Sequence, residues 1–245
     1  MKNKRSFFSG RKKCKNGCIY CFSNFASNKF HEEMNELAFQ QLNKFIYPIC
    51  DSEISYQSEN YLDSLLEMLG KQKGYKVISI STKCNWSDEK LLKLQTFNKI
   101  HAGEKIIKLS ISFSRKNELD KFEPNAISYS DRISLLKKLK NYSIPTVVLI
   151  KPILPFVAYE EYKSLIDDCI NICKDFVLGP LYVDKQSKFY NKFIYQKYQV
   201  EEKYCEWLKS IALCVKSPNY EKIKSYIINS GGTCYDSDAE FLETL

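Results

Sequence analysis

With 245 residues, 44% hydrophobic and 14% aromatic, the chain has material for one sizeable core, and no apolar run approaches membrane-spanning length. Met1-Lys2-Asn3-Lys4-Arg5 leads into no signal-type hydrophobic segment, so the expectation is a cytoplasmic protein with no membrane partner, whose 10 cysteines are thiols or metal ligands rather than disulfides. A formal net charge of +8, spread over many lysines with no arginine-rich block, favours an anionic partner such as nucleic acid without specifying one.

In chain order, a cysteine-rich loop comes first and residues 31–46 read as a helix. Glu53-Ile54-Ser55-Tyr56 reads as a short strand, and Tyr61 to Gly70 carries Leu62, Leu65, Leu66 and Leu69 at helical spacing. Strands are expected at Val77–Ser81, Ile106–Ser112, Thr146–Ile150 and Phe176–Leu178, with helices over Asp88–Phe97, 130–142 and 159–173 between them. Repeated strand–helix units force parallel pairing with right-handed crossovers. Six such units make an α/β fold, a partial (βα)6 barrel of TIM type, with its site at the C-terminal strand edges. That barrel is assigned to residues 1–185. Residues 186–245, rich in Tyr190, Phe193, Tyr195, Tyr198, Tyr204 and Trp207, read as a helical C-terminal extension packed on it, with Gly231-Gly232 marking a turn.

The chemistry sits in Cys14-Lys15-Asn16-Gly17-Cys18-Ile19-Tyr20-Cys21, a C-x3-C-x2-C triplet. Three thiolates on one short loop suit three corners of a cubane iron–sulfur cluster, leaving one iron open to bind a substrate or cofactor. The alternative is a structural zinc site, which normally needs a second ligand pair. None is obvious downstream, and His31, ten residues past Cys21, is the nearest extra ligand.

These residues resemble the radical S-adenosylmethionine (radical SAM) superfamily. The triplet has its spacing, and Tyr20 stands where members carry an aromatic near the adenine. Ile80-Ser81-Thr82-Lys83, Leu109-Ser110-Ile111-Ser112, Glu123-Pro124-Asn125-Ala126 with Arg132, and Lys151-Pro152-Ile153-Leu154-Pro155 follow the order of motifs in the spore photoproduct lyase group, related to DNA-repair photolyases. The resemblance implies a [4Fe-4S] cluster on Cys14, Cys18 and Cys21 that binds S-adenosylmethionine and cleaves it to a 5′-deoxyadenosyl radical for hydrogen-atom abstraction. It further implies a reducing partner of flavodoxin or ferredoxin type and repair of a pyrimidine lesion in DNA by a monomer. Members of that group have longer chains, which bears on whether the DNA-gripping part is present. Radical modification of a peptide or small molecule is the alternative reaction. A non-catalytic zinc or iron–sulfur protein that binds nucleic acid is the alternative of another class.

Strand alternation places Ser79, Ser81 and Lys83 on one face and Ser110, Ser112 and Ser114 on one face of the next strand. They either line a polar barrel interior or face solvent on half-exposed strands. By resemblance, Lys83 meets the methionine carboxylate, Ser110 or Ser112 the ribose or carboxylate, and Glu123 with Arg132 shapes the cofactor pocket; a surface ion pair is the other reading of those two. Where the superfamily has a Gly-Gly-Glu-type segment, this chain has Cys50-Asp51-Ser52-Glu53-Ile54. By resemblance, Ser52 contacts the cofactor and Cys50, expected on the same strand face, returns a hydrogen atom to the substrate; a small buried hydrophobe is the alternative for Cys50. Cys84 is a second donor candidate turned away from the face of Lys83. Cys169, Cys173, Cys205, Cys214 and Cys234 lack cluster spacing, and Lys185 to Tyr204 reads either as a base-stacking segment or as a helix covering the barrel.

Overall fold

Each β-branched run becomes a strand, and because the runs are separated by helices they pair in parallel. The computed structural model describes residues 5–22, 31–34, 42–205, 208 and 210–245. One sheet contains β1 (Arg5–Phe7), β2 (Phe45–Tyr47), β3 (Lys76–Thr82), β4 (Lys105–Phe113), β5 (Val148–Ile150), β6 (Asp175–Leu178) and β10 (Thr233–Tyr235). They lie in the order β1-β2-β3-β4-β5-β6-β10, and every pair is parallel. Helices α1 (Tyr61–Gly70), α2 (Asp88–Ile100), α3 (Leu119–Phe122) with α4 (Tyr129–Asn141), and α5 (Tyr159–Ile170) connect successive strands from β2 to β6. Serine hydroxyls start the longer ones: Ser87 accepts from the Lys90 N–H and Ser128 from the Asp131 N–H, filling donors that a helix N-terminus leaves open.

Alternation along the strands sorts the core into two parts. Ile46, Ile78, Ile80, Leu109, Ile111 and Val148 face the helices, where Leu65, Leu91, Leu135 and Leu165 cover them. Phe45, Val77, Val147, Leu149 and Val177 face the barrel interior, and Phe241 and Leu242 of α8 (Asp238–Leu242) fill the space against them. The C-terminal helix thus plugs the interior from below, and Leu245 accepts a hydrogen bond from the Tyr75 hydroxyl through its backbone oxygen at 2.7 Å.

Three expectations change. Within 31–46, residues 35–41 lie outside the described residues; Glu33 forms a parallel bridge to Ser9, and Phe45–Tyr47 is strand β2, drawn into the sheet between β1 and β3. Glu53–Tyr56 is no strand: Ile54–Tyr56 is a 3-10 turn, and Glu53 before it is tied through its side chain to the cysteine loop and the end of β3. Beyond residue 190 the chain is not wholly helical. β7 (Leu181–Val183), β8 (Glu201–Cys205) and β9 (Ser210–Val215) form an antiparallel sheet in the order β7-β9-β8. Four of the five β8 residues are exposed, so its sequence carries no apolar alternation to betray a strand. The short α6 (Lys188–Phe193), α7 (Tyr220–Asn229) and α8 are the helical parts of the extension, and Trp207 lies outside the described residues.

Candidate active site

The cysteine loop leaves β1 at the C-terminal edge of the sheet and is held from both sides by backbone bonds. On one side the Gly10 N–H donates to Asp51 Oδ1 at 2.9 Å, the Lys12 N–H to Gln57 Oε1 at 2.9 Å, and Ser52 Oγ to the Lys12 carbonyl at 2.7 Å. On the other, the Ile19 N–H donates to the Phe122 carbonyl at 3.0 Å and the Asn125 N–H to that of Asn16 at 3.1 Å. Gly17 turns the loop at φ +67°, where a side chain would be strained and would also meet Pro124 at 3.2 Å.

Glu53, which sequence reasoning read only as part of a strand, is the fastener between loop and sheet. Its buried carboxylate accepts from Asn16 Nδ2 at 3.0 Å, Thr82 Oγ1 at 2.8 Å and the Lys83 N–H at 2.8 Å. Tyr56 completes the contact by donating to Asn16 Oδ1 at 2.7 Å.

Cys18 is buried and Cys14 and Cys21 are half-buried; none is in a disulfide. Burial pushes the Cys14 thiol up to about 12 and that of Cys18 to about 11, so a bound metal would have to stabilise the thiolates. Among the described residues, no three His, Cys, Asp or Glu side chains are grouped around a point where a single ion would sit. His31 stacks on Phe7 at 5.7 Å, with its backbone N–H donated to Ser9 Oγ. Three soft sulfurs on one externally braced loop fit a multi-iron cluster, whose corners bind separate irons, better than a lone zinc.

Beside the loop lies a buried charge relay. Lys83, at the end of β3, donates to Tyr20 Oη at 2.5 Å and reaches Cys18 Sγ at 3.7 Å and Glu123 Oε1 at 3.2 Å. Tyr20 Oη donates to Glu123 Oε1, which also accepts from Ser114 Oγ at 2.5 Å, and Arg132 Nη2 donates to Oε2 at 2.6 Å. Arg132 spends its other donors on the Ser112 and Ile127 carbonyls. Burial opposes ionisation of Glu123, but Lys83 and Arg132 outweigh it and hold the carboxyl at about 2. Glu123 and Arg132 are therefore an interior pair, both side chains 0% exposed, and not a surface one. The Tyr20 ring meets Phe189 edge-on at 6.4 Å and sits under the Lys83 ammonium at 4.8 Å.

The serine face is interior as well. Ser79, Ser110, Ser112 and Ser114 are buried and only Ser81 is exposed. Most of their hydroxyls already have protein partners: Ser79 donates to Asp238 Oδ2 at 2.9 Å, Ser110 accepts from Lys108 Nζ at 2.5 Å, and Ser112 donates to the Lys151 carbonyl at 3.1 Å. Cys50 and Ser52 do not share a strand face, because β2 ends at Tyr47 and both lie in the loop beyond. Cys50 is half-buried with its thiol directed to the Tyr47 carbonyl at 3.8 Å, while Ser52 fastens the base of the cysteine loop. Cys84 turns away from Lys83 and sits 3.5 Å from Asn16 Oδ1. Phe189 and Phe193 of the Lys185 to Tyr204 stretch pack with Phe122 and Phe156, whereas Tyr195 and Tyr204 are exposed.

No known family profile matches the chain, and no curated protein matches it in sequence. Its structure, by contrast, is similar to solved ones. A spore photoproduct lyase variant superposes with a TM-score of 0.59 at 15% identity, over 89% of this chain and 71% of that one. Another, with bound AdoMet and dinucleoside spore photoproduct, gives 0.59 at 14% identity over the same shares. SuiB of Streptococcus suis, bound to S-adenosylmethionine, gives 0.55 at 13% identity, over 92% of this chain and 47% of that one. The fold of this chain, a partial barrel built on seven parallel strands, is the one these structures share.

Proposed function

We propose that this chain is a radical SAM enzyme whose [4Fe-4S] cluster is held by Cys14, Cys18 and Cys21. The observation that carries the reading is the placement of that loop at the C-terminal edge of the half-barrel, braced by Glu53 and joined through Cys18 to Lys83. When bound, the cluster and S-adenosylmethionine supply a 5′-deoxyadenosyl radical for hydrogen-atom abstraction. The chain's own residues divide into two groups. Lys83 and Ser112 are the candidates to touch the cofactor, Lys83 by its reach to Cys18. Tyr20, Glu123 and Arg132 are positioning residues that fix Lys83, since the Glu123 oxygens are taken by protein donors. Ser52 and Ser110 act behind them, through Lys12 and Lys108.

For the substrate we propose a pyrimidine lesion in DNA, with Cys50 returning a hydrogen atom to the product radical. Burial pushes the Cys50 thiol up to about 12, which keeps the S–H bond that such a donor must possess. Anaerobic reconstitution should give a brown protein with about four irons per chain. Addition of S-adenosylmethionine and dithionite should then release 5′-deoxyadenosine. A colourless protein that binds zinc sinks the reading. Ultraviolet-irradiated DNA should be consumed, and Cys50→Ala should stall or divert the product; unchanged turnover removes Cys50 from the mechanism. Consumption of a peptide in place of irradiated DNA would move the substrate to the alternative class.

A further inference from the structure

Most charges inside the half-barrel are matched. Glu123 meets Lys83 and Arg132, and Lys108, fully buried on β4, donates to Asp238 of the C-terminal helix. Asp238 also accepts from Ser79 and is shared with Tyr47, and its one negative charge acts on Lys151 as well as on Lys108. Lys151 is different. It follows β5 in the same alternation as Val147 and Leu149, which face the interior. Its side chain passes directly over Gly179, where an added Cβ would fall 2.5 Å from Lys151 Cγ and 2.9 Å from its Cδ and Cε. A glycine is required there for the lysine to enter at all.

Having entered, the Lys151 ammonium takes no hydrogen-bond or ion-pair partner among the described residues. Burial draws it below the usual lysine range, the ammoniums of Lys108 and Lys203 disfavour its charge further, and Asp238 gives partial relief. Lys203, exposed on β8, likewise has no carboxylate partner among the described residues. Lys203 of β8 thus comes near enough to Lys151 to add a second positive charge beside it. A half-buried ammonium with no direct partner and only a shared counter-charge costs stability, and such a group persists where a ligand supplies the missing charge.

We propose that Lys151, admitted by Gly179, is an anion-recognition point inside the barrel mouth, where it binds a carboxylate or phosphate oxygen of a molecule that enters the site. This rests on the radical SAM reading only for the identity of that molecule. The same chemistry is offered by the carboxylate of S-adenosylmethionine and by the phosphate of a nucleic-acid substrate. Lys108 and Lys151 share the single negative charge of Asp238, so one positive charge beside Lys151 is left over among the described residues.

The test compares the full-length wild-type chain with Lys151→Met, Lys151→Arg and Gly179→Ala, by calorimetric titration with three probes: S-adenosylmethionine on the anaerobically reconstituted protein, and a thymidine dinucleotide and inorganic phosphate on protein with and without the cluster. Lys151→Met should melt close to wild type, since it removes one of two ammoniums that share Asp238, yet bind at least one probe about ten-fold more weakly or worse. Lys151→Arg should retain most of the affinity. Gly179→Ala should lose it with the lysine still present, which separates recognition from loss of charge alone. A loss confined to S-adenosylmethionine assigns the point to the cofactor carboxylate, and one confined to the dinucleotide or phosphate assigns it to the substrate. Equal affinity of wild type and Lys151→Met for all three probes overturns the proposal. So does a Lys151→Met protein that melts well below wild type with unchanged binding, or a wild type that binds none of them. If the wild type fails to hold iron but still binds phosphate through Lys151, the radical reading falls and the anion point stands.

Discussion

The upper and lower halves of the barrel interior each centre on one buried carboxylate, yet they differ in what carries it. At the mouth, Glu123 collects donors from four elements, with Lys83 and Arg132 both supplying positive charge. At the floor, Asp238 is the one carboxylate serving Lys108 directly and Lys151 at longer range, with Ser79 and Tyr47 also bonded to it, above an apolar layer of Phe45, Val77, Val147, Val177 and the C-terminal Phe241 and Leu242. The redundancy above fits a place where side chains must be held still around a bound cofactor. The carboxylate below, carried by the C-terminal helix itself, fits a plug, which needs to register one helix at one depth. A buried carboxylate with several donors tolerates the loss of one donor, whereas loss of the carboxylate itself strands every cation it serves.

The largest effect is therefore expected at the floor. Asp238→Asn leaves Lys108 buried without a counter-charge and should cost about 4 kcal/mol in urea denaturation at neutral pH. Its pH dependence sharpens the point. Burial alone would raise the Asp238 carboxyl, but Lys108 and Lys151 outweigh it and hold it below the usual carboxylate range. Burial also draws Lys108 down, yet Asp238 governs because it faces two ammoniums and the Ser79 hydroxyl while Lys108 faces one carboxylate. A depressed carboxyl contributes stability that is complete above about pH 4 and is lost as pH falls through the folded-state value. The gap between wild type and Asp238→Asn should accordingly narrow in acid. A gap that stays constant down to the acid transition would show that the pair is not ionised in the fold.

Arg132→Met is expected to cost less, about 3 kcal/mol, because Lys83 remains beside Glu123. If it proves costlier than Asp238→Asn, the mouth is not the redundant half. The smallest effect should come from Ser79→Ala, about 1 kcal/mol, since one neutral donor is withdrawn from an Asp238 that keeps its lysine. A loss as large as that of Asp238→Asn would mean that the hydroxyl, and not the charge, positions the plug.

Much of this architecture was legible beforehand. The strands around Ile78, Leu109 and Leu149 are short β-branched runs between amphipathic helices, and local pattern suffices for them. The triplet was legible because all of its members lie within eight residues, and Lys83 with the serine face followed from alternation. Glu53 was read with the wrong element, because its partners Asn16, Thr82 and Lys83 come from segments that meet only when the sheet forms. Cys50 and Ser52 lost their shared face for a related reason, the early end of β2 at Tyr47. The antiparallel sheet was hidden by β8, whose exposed polar surface resembles a solvated helix as readily as an edge strand.

By itself the sequence determined the parallel α/β class and the three-thiol loop, both of which depend on residues that are neighbours or that recur at a fixed period. Only the tertiary structure decided which charges are matched. Asp238 lies 130 residues beyond Lys108, the pairing of Glu123 with Arg132 was anticipated but not its burial, and Lys151, which passes over Gly179, has no direct partner among the described residues. Periodicity reports which face a side chain takes; it carries no information about what stands opposite, and in a low-dielectric interior the opposite group sets the energy.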